Sequence, residues 1–205
     1  MKVLFFLVHP SKYYTFRNTI NSLIKLGHEV DVAIVTKECL EQLMISEKWN
    51  VINIFPRGRK NKYIPIFLIT ALYFVFTIFK LFILSFKKKY DLFITDDCLT
   101  IIGKIRGIPS IFFIDNEPNT IPGINLIMEP ASIILAPKMI SESIKNKQLR
   151  SFNSYKELAY LHPKYFKPQP DVLRKYIKSN EPFFIIRLVS FTAIHDINKR
   201  GISNI

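Results

Sequence analysis

A chain of 205 residues is long enough for one full hydrophobic core and too short for two of average size. Its two cysteines, Cys39 and Cys98, exclude a disulfide framework and lack the clustered spacing of a zinc site, so a reducing, cytosolic compartment is expected. The formal net charge of +13 invites a polyanion, but Lys, Ile, Asn, Phe and Tyr are abundant together, as an AT-rich genome would produce, so charge alone excludes no class.

The opening "MKVLFFLVHPSKYY" has one lysine and a six-residue apolar run, Val3 to Val8. That run is shorter than a secretory apolar core and lacks a small-residue cleavage site, so it reads as a first strand. Residues 14–26 carry Phe16, Ile20, Leu23, Ile24 and Leu26 near helical spacing, closed by Gly27. Next come a strand over 30–35, a helix over 38–47 and a strand over 51–55. Three further strands are expected over 92–95, 110–114 and 133–136. Short continuous Val/Ile/Phe strands separated by helices predict an α/β fold with a doubly wound parallel sheet, covered on both faces.

Such sheets bind ligands in the loops beyond the carboxyl ends of their strands. Those loops read "HPSKYY", "TKEC", "PRGRKNK", "DDC", "DNEPNT" and "PKMI", and none contains G-x-G-x-x-G or G-x-x-x-x-G-K-[ST]. Dinucleotide and P-loop phosphate binding are not expected.

Between the third and fourth strands, residues 64–86 are apolar enough and long enough to cross a bilayer at ~1.5 Å per residue. Two observations oppose a span. Strands before and after the segment must pair in one sheet, and basic residues flank both ends: Arg57, Arg59, Lys60 and Lys62 before, Lys87, Lys88 and Lys89 after. Thr70, Tyr73, Thr77 and Lys80 fall on one narrow polar stripe, and the remaining surface is too apolar for an ordinary crossover helix. The expectation is a helix lying in the headgroup region of an anionic membrane surface, with a homo-oligomer or a further domain as the alternative cover and a genuine span left open as a third reading.

The last part carries "FNSYKELAYLHPKYFKP" at 152–168, and residues 183–188 read as a strand buried on both faces, followed by "SFTAIHDINKRGIS" at 190–203. Together with "HPSKYYTFRNTINSLIKLGHEV" at 9–30, these stretches resemble a prokaryotic family known as domain of unknown function 354. Its usual patterns are G-H-P-x-H-x-x-F, Y-x-G-Y-K-E-L-A-Y-L-H-P and R-x-x-x-x-x-A-x-H-D. The sequence departs from them at Val8, at or next to Tyr13, and at Ser154, where the family has Gly, His and Gly. Valine at the first of these blocks a backbone approach or a positive φ that glycine tolerates.

The resemblance implies a GT-B-like architecture, in which two Rossmann-type domains face a cleft, as in nucleotide-sugar glycosyltransferases and UDP-GlcNAc 2-epimerases. It implies an N-terminal domain over 1–168, a linker over 169–182 and a truncated start of the second domain over 183–205. It also implies an incomplete donor site. The function so expected is that of a glycosyltransferase or sugar-nucleotide enzyme of surface polysaccharide synthesis, represented by its acceptor-side half. A non-catalytic, basic, membrane-binding or oligomerising domain stays open beside it. The expected partners are a nucleotide sugar, as substrate, and a glycan or lipid-linked acceptor. No cofactor or metal is implied. Nucleic acid is not expected, because the basic residues cluster around the apolar helix instead of alternating with aromatics on strands. The expected place is the cytoplasmic side, peripheral at the inner face of the cell membrane.

Inverting glycosyl transfer needs a base for the acceptor hydroxyl and positive charge or dipoles for the departing diphosphate. His9, Asp96, Asp115 and Glu117 sit at strand ends on one rim and are the candidate catalytic residues. A histidine before a helix also serves as a cap, and Asp and Asn are frequent turn residues, so the capping role is the competing one. Lys12 and Asn116 on the rim, with Tyr155 and Lys156 from the middle motif, are candidates for binding substrate. The resemblance adds Arg187, His195 and Asp196 from the second domain, the arginine for phosphate.

Overall fold

The computed structural model of the chain describes residues 1–56, 66–177 and 182–186. Seven strands form one parallel sheet: β1 (Lys2–Leu7), β2 (Glu29–Val35), β3 (Asn50–Phe55), β4 (Leu92–Thr95), β5 (Ser110–Phe113), β6 (Ile133–Pro137) and β7 (Leu149–Phe152). Their order is β3-β2-β1-β4-β5-β6-β7, and every neighbouring pair is parallel. The chain steps outward from β1 to β3, returns to β4 on the other side of β1, and steps outward again. Adjacent loops therefore diverge at the carboxyl ends of β1 and β4, the switch point where sheets of this kind bind ligands.

The two-residue period of β1 assigns its side chains to opposite faces. Val3, Phe5 and Leu7 join Val30, Val32 and Ile34 against Phe16 and Ile20 of α1 (Pro10–Lys25) and Leu40 and Met44 of α2 (Leu40–Ile45). Leu4 and Phe6 join Ala33 and Val35 against Leu81 and Leu84 of α3 (Ile66–Leu84) and Leu99 and Ile102 of α4 (Leu99–Arg106). A third cluster gathers Phe112, Ile134 and Ala136 with Ile124 and Met128 of α5 (Ile124–Met128) and Ile140 of α6 (Lys138–Ser141). Residues 3–7 are completely buried, each side chain contributing ~1.5–3 kcal/mol over exposure. The doubly wound parallel sheet expected from the apolar runs is the observed fold.

Element ends differ from expectation by one or two residues in most cases, and by four at α1. That helix starts at Pro10 because His9, in extended backbone at φ −140°, caps it: its Nδ1 accepts from Ser11 N at 3.1 Å. Gly27, at φ +80°, ends the same helix as the sequence indicated. The short strand β7 had no expectation attached to it.

Helix α3 connects β3 to β4 and so has one sheet on both sides of it in sequence, as the topological argument required. Among the described residues no helix is long and apolar enough to cross a membrane. The rotation of α3 is unusual. Three of the four residues on its polar stripe turn toward the protein: Thr77 is buried, the Tyr73 ring meets Phe55 at 5.7 Å, and Lys80 donates to the Ile54 carbonyl at 2.5 Å with its ammonium 3.9 Å from the Phe55 ring centre. Leu68, Leu72, Val75, Phe79, Ile83 and, just beyond the helix, Phe86 point outward and are 45–62% exposed. The solvent face is thus the apolar one.

The chain divides into two compact units, 1–162 and 163–205. The first ends with α7 (Leu158–Leu161), docked on α1 through Asn18 Nδ2 donating to the Ala159 carbonyl at 2.7 Å and Tyr14 against Tyr160 at 5.7 Å. The second contains α8 (Pro170–Arg174), with Arg174 3.3 Å from Asp171. The strand expected over 183–188 is not formed in its described part. Phe183 to Ile186 have no regular structure and are exposed, because no strand among the described residues pairs with them.

Candidate active site at the sheet switch point

Four charged side chains converge where β1, β4 and β5 end. Pro10 starts α1 immediately after β1, which places Lys12 in the first turn, over the sheet. Asp96 follows β4, Asp115 follows β5 by two residues, and Lys156 comes from the segment between β7 and α7. The Lys12 ammonium lies 3.2 Å from Asp96 Oδ2 and 2.9 Å from Asp115 Oδ1, and Lys156 pairs with Asp115 Oδ2. Phe113 forms a floor, its ring centre 5.6 Å from the Lys12 ammonium, and is itself stacked on Phe152 of β7 and edge-on to Phe16 of α1. Burial is deep for such groups: the side chains of Lys12, Asp96 and Asp115 are 10%, 18% and 6% exposed.

The loop after β4 is fixed by Thr95, which is fully buried. Its hydroxyl donates to the Phe6 carbonyl of β1 at 3.1 Å and accepts from Asp97 N at 3.0 Å, while Asp97 Oδ1 accepts from Cys98 N at the start of α4. Asp97 is therefore a turn residue, and Asp96 is the one left facing Lys12.

Electrostatics separate the two carboxylates. Burial pushes Asp115 up, but Lys12 and the hydrogen bond from Lys156 outweigh it and hold its carboxyl below the ordinary value. Burial also pushes Asp96 up, and there it prevails over Lys12, with Asp97 and Asp115 adding to the rise. Burial pulls Lys12 down, yet Asp96 and Asp115 carry it above the usual lysine value. Both oxygens of Asp115 are occupied by lysines. Asp96 Oδ1 is covered and has no hydrogen-bond partner among the described residues. A carboxylate of raised basicity is equipped to take a proton from a hydroxyl, and the paired lysines supply positive charge beside it.

The other sequence candidates divide clearly. His9 borders the cluster as the α1 cap, its Nδ1 engaged by Ser11 and its Nε2 3.7 Å from Glu38; burial, Lys37 and the nearby lysines lower its pKa. Its capping role is thus the one the geometry displays. Asn116 and Glu117 are exposed in the loop after β5, Glu117 leading a 3₁₀ turn over Pro118–Thr120, and neither joins the cluster among the described residues. Tyr155 is 59% exposed and also stays outside it. Arg187, His195 and Asp196 lie outside the described residues. Among the described residues no group of His, Cys, Asp and Glu is arranged to hold a metal ion.

One charged group had no sequence signal. Arg106, in the last turn of α4, lays its guanidinium over Phe86 at 3.5 Å, and its Nη1 has no hydrogen-bond partner among the described residues. Twenty residues separate the pair in sequence, so only the packing of α4 beside α3 brings them together.

No family model and no curated protein matches the sequence, so the resemblance to the family of unknown function gains no support there. Solved structures do match the fold. A UDP-N-acetylglucosamine 2-epimerase from Rickettsia bellii aligns over 85% of this chain and 49% of its own, at 16% identity and a TM-score of 0.58. A UDP-GlcNAc 2-epimerase from Neisseria meningitidis, bound to UDP-GlcNAc, aligns over 79% and 49%, at 14% identity and 0.57. MurG from Acinetobacter baumannii aligns over 74% and 44%, at 11% identity and 0.55. The chain spans about half the length of the structures it matches, and the likeness is to one Rossmann-like domain of a GT-B-type fold.

Proposed function

We propose that this chain is the acceptor-side half of a GT-B-like sugar-nucleotide enzyme, with glycosyl transfer as its reaction. The observation that carries the reading is the Lys12–Asp96–Asp115–Lys156 constellation at the switch point. In this reading Asp96 takes the proton of an acceptor hydroxyl. Lys12 and Asp115 hold Asp96 in position, and Lys156 adds charge against the departing diphosphate. Two of the solved structures that share the fold support the substrate class, since their names speak of UDP-GlcNAc. A second domain would contribute most contacts to the nucleotide, and the acceptor would be a glycan or a lipid-linked carrier used in surface polysaccharide synthesis. The enzyme would work peripherally at the inner face of the cell membrane.

Titration of UDP against this chain, and against a form extended by a donor-binding domain, tests the reading. Saturable binding by the extended form alone is expected, and comparable affinity in both would overturn the division of labour. In the extended form, Asp96→Asn should lower turnover by ~10²–10⁴ while leaving UDP affinity in place.

A second reading, a basic membrane-binding domain without catalysis, draws on the outward apolar face of α3. Loss of vesicle binding with retained turnover, or the reverse, separates the two.

A further inference from the structure

We infer that α3 is the membrane-docking surface of this protein: its outward apolar stripe enters the interfacial layer of an anionic bilayer, and Arg106, spread on Phe86, meets a lipid phosphate at the edge of that footprint. The inference deepens the membrane-peripheral part of the reading above by naming the surface and its ligand, and it leaves the sugar chemistry untouched.

Three observations on independent elements carry it. First, the rotation of α3 is fixed by polar contacts on its inner side. Lys80 to the Ile54 carbonyl and Tyr73 against Phe55 tie the helix to the last residues of β3. The helix cannot roll its apolar stripe inward without breaking them, so an exposed line from Leu68 to Phe86 is a property of the folded state. Such a continuous line marks an interaction surface in a way that scattered apolar residues do not.

Second, the segment that carries the stripe has charge of one sign. Residues 51–90 contain no Asp or Glu. Lys87 and Lys89 follow the stripe and are exposed, and Lys104 of the neighbouring α4 is exposed as well. Lys88 is spent on the exposed Glu29 and the buried Asp31. A second copy of the chain would bring another set of basic flanking residues, Lys87 and Lys89, to this face, and like charges oppose that pairing. An anionic headgroup layer neutralises these residues while its acyl boundary accepts the stripe, which is the composition of an interfacial helix.

Third, Arg106 makes no ion pair among the described residues; its guanidinium lies over Phe86 with Nη1 buried. The donors of the stacked guanidinium other than Nη1 are held in a fixed plane suited to phosphate oxygens.

The test uses the full chain with vesicles of phosphatidylcholine alone and vesicles containing phosphatidylglycerol, at low and high salt, read by co-sedimentation. Partition onto the anionic vesicles at least ~10-fold stronger than onto the neutral ones, weakening with salt, is expected. Phe79→Glu should reduce it by ~10-fold or more, and Arg106→Gln should lower the anionic preference several-fold while leaving salt-resistant binding. Phe79 is exposed, so the variant should keep its melting temperature, and Val75→Glu serves as the second probe of the same face. Binding by the wild type that both glutamate variants retain would leave the peripheral reading standing and remove α3 as its surface. No binding by the wild type at low salt would overturn both. A dimer in sedimentation equilibrium that Phe79→Glu splits, without vesicle binding, would assign the stripe to a second copy and overturn the inference.

Discussion

Lys12 bridges two carboxylates that differ in what they contribute to stability. Asp115 has a depressed pKa, so the stability it adds is present above the unfolded value of 3.8 and is lost as pH falls through its lower folded value. Asp96 has a raised pKa, so its ionisation costs stability as pH rises from 3.8 through its higher folded value. Lys12, raised above 10.5, adds stability that is present below that pH and lost as pH climbs through the folded value. The expected outcome is a marked asymmetry between two similar substitutions. Asp115→Asn strips both lysines of their shared partner and should cost ~3–5 kcal/mol in urea unfolding at neutral pH, whereas Asp96→Asn should cost less than ~1 kcal/mol, since it removes an unfavourably buried charge. Equal costs would mean that Asp96 is as well compensated as Asp115. Asp96, Asp115 and Lys12 were legible as rim residues from their place after apolar runs, and Lys156 from the family-like motif. Their convergence was not legible, because Asp115 lies 103 residues from Lys12, and no local pattern encodes which loops the strand order will bring together.

Six strands were readable at the level of elements because each is a short, mainly apolar run, broken only by Asp31 in β2 and Asn53 in β3 between apolar neighbours, the mark of a strand covered on both faces. The seventh, "LRSF" at Leu149–Phe152, lies at the sheet edge with two of its four residues exposed, so its sequence shows neither a run nor a clean alternation. For α3 the helix itself was evident, but not its rotation. A stripe of four polar residues in an otherwise apolar helix looks the same from sequence whether it faces water or, as here, the edge strand β3. The α4 contact with β5 offers a sharper check on packing. A Cβ built on Gly103 would stand 2.8 Å from the Ile108 carbonyl oxygen and 3.1 Å from Ser110 Cβ, in a stretch of backbone that cannot swing aside. Gly103→Ala should therefore destabilise by ~1–3 kcal/mol despite alanine's better helix propensity, measured as a drop in urea midpoint. A stabilised variant would show that α4 can lift off the sheet freely.

The whole molecule is organised around β1, which pairs on both sides and whose residues 3–7 are completely buried. Native-state hydrogen exchange should find its amides among the slowest and those of β7 among the fastest of the sheet, with α7 following β7; uniform protection across all seven strands would contradict that gradient. The order of assembly also bears on the four-residue charge cluster. Lys12 leaves the ribosome long before Asp115, and Lys156 follows Asp115 after 41 more residues. At ~5–20 residues per second, the nascent chain carries a solvated lysine for ~4–17 s before Asp96, its first acidic partner, is made, and Asp115 then waits for the outermost strand to deliver its second counter-ion. Translation thus completes this rim from its oldest residue to its youngest, and a chain stalled before residue 156 would hold a sheet whose chemistry is still unfinished.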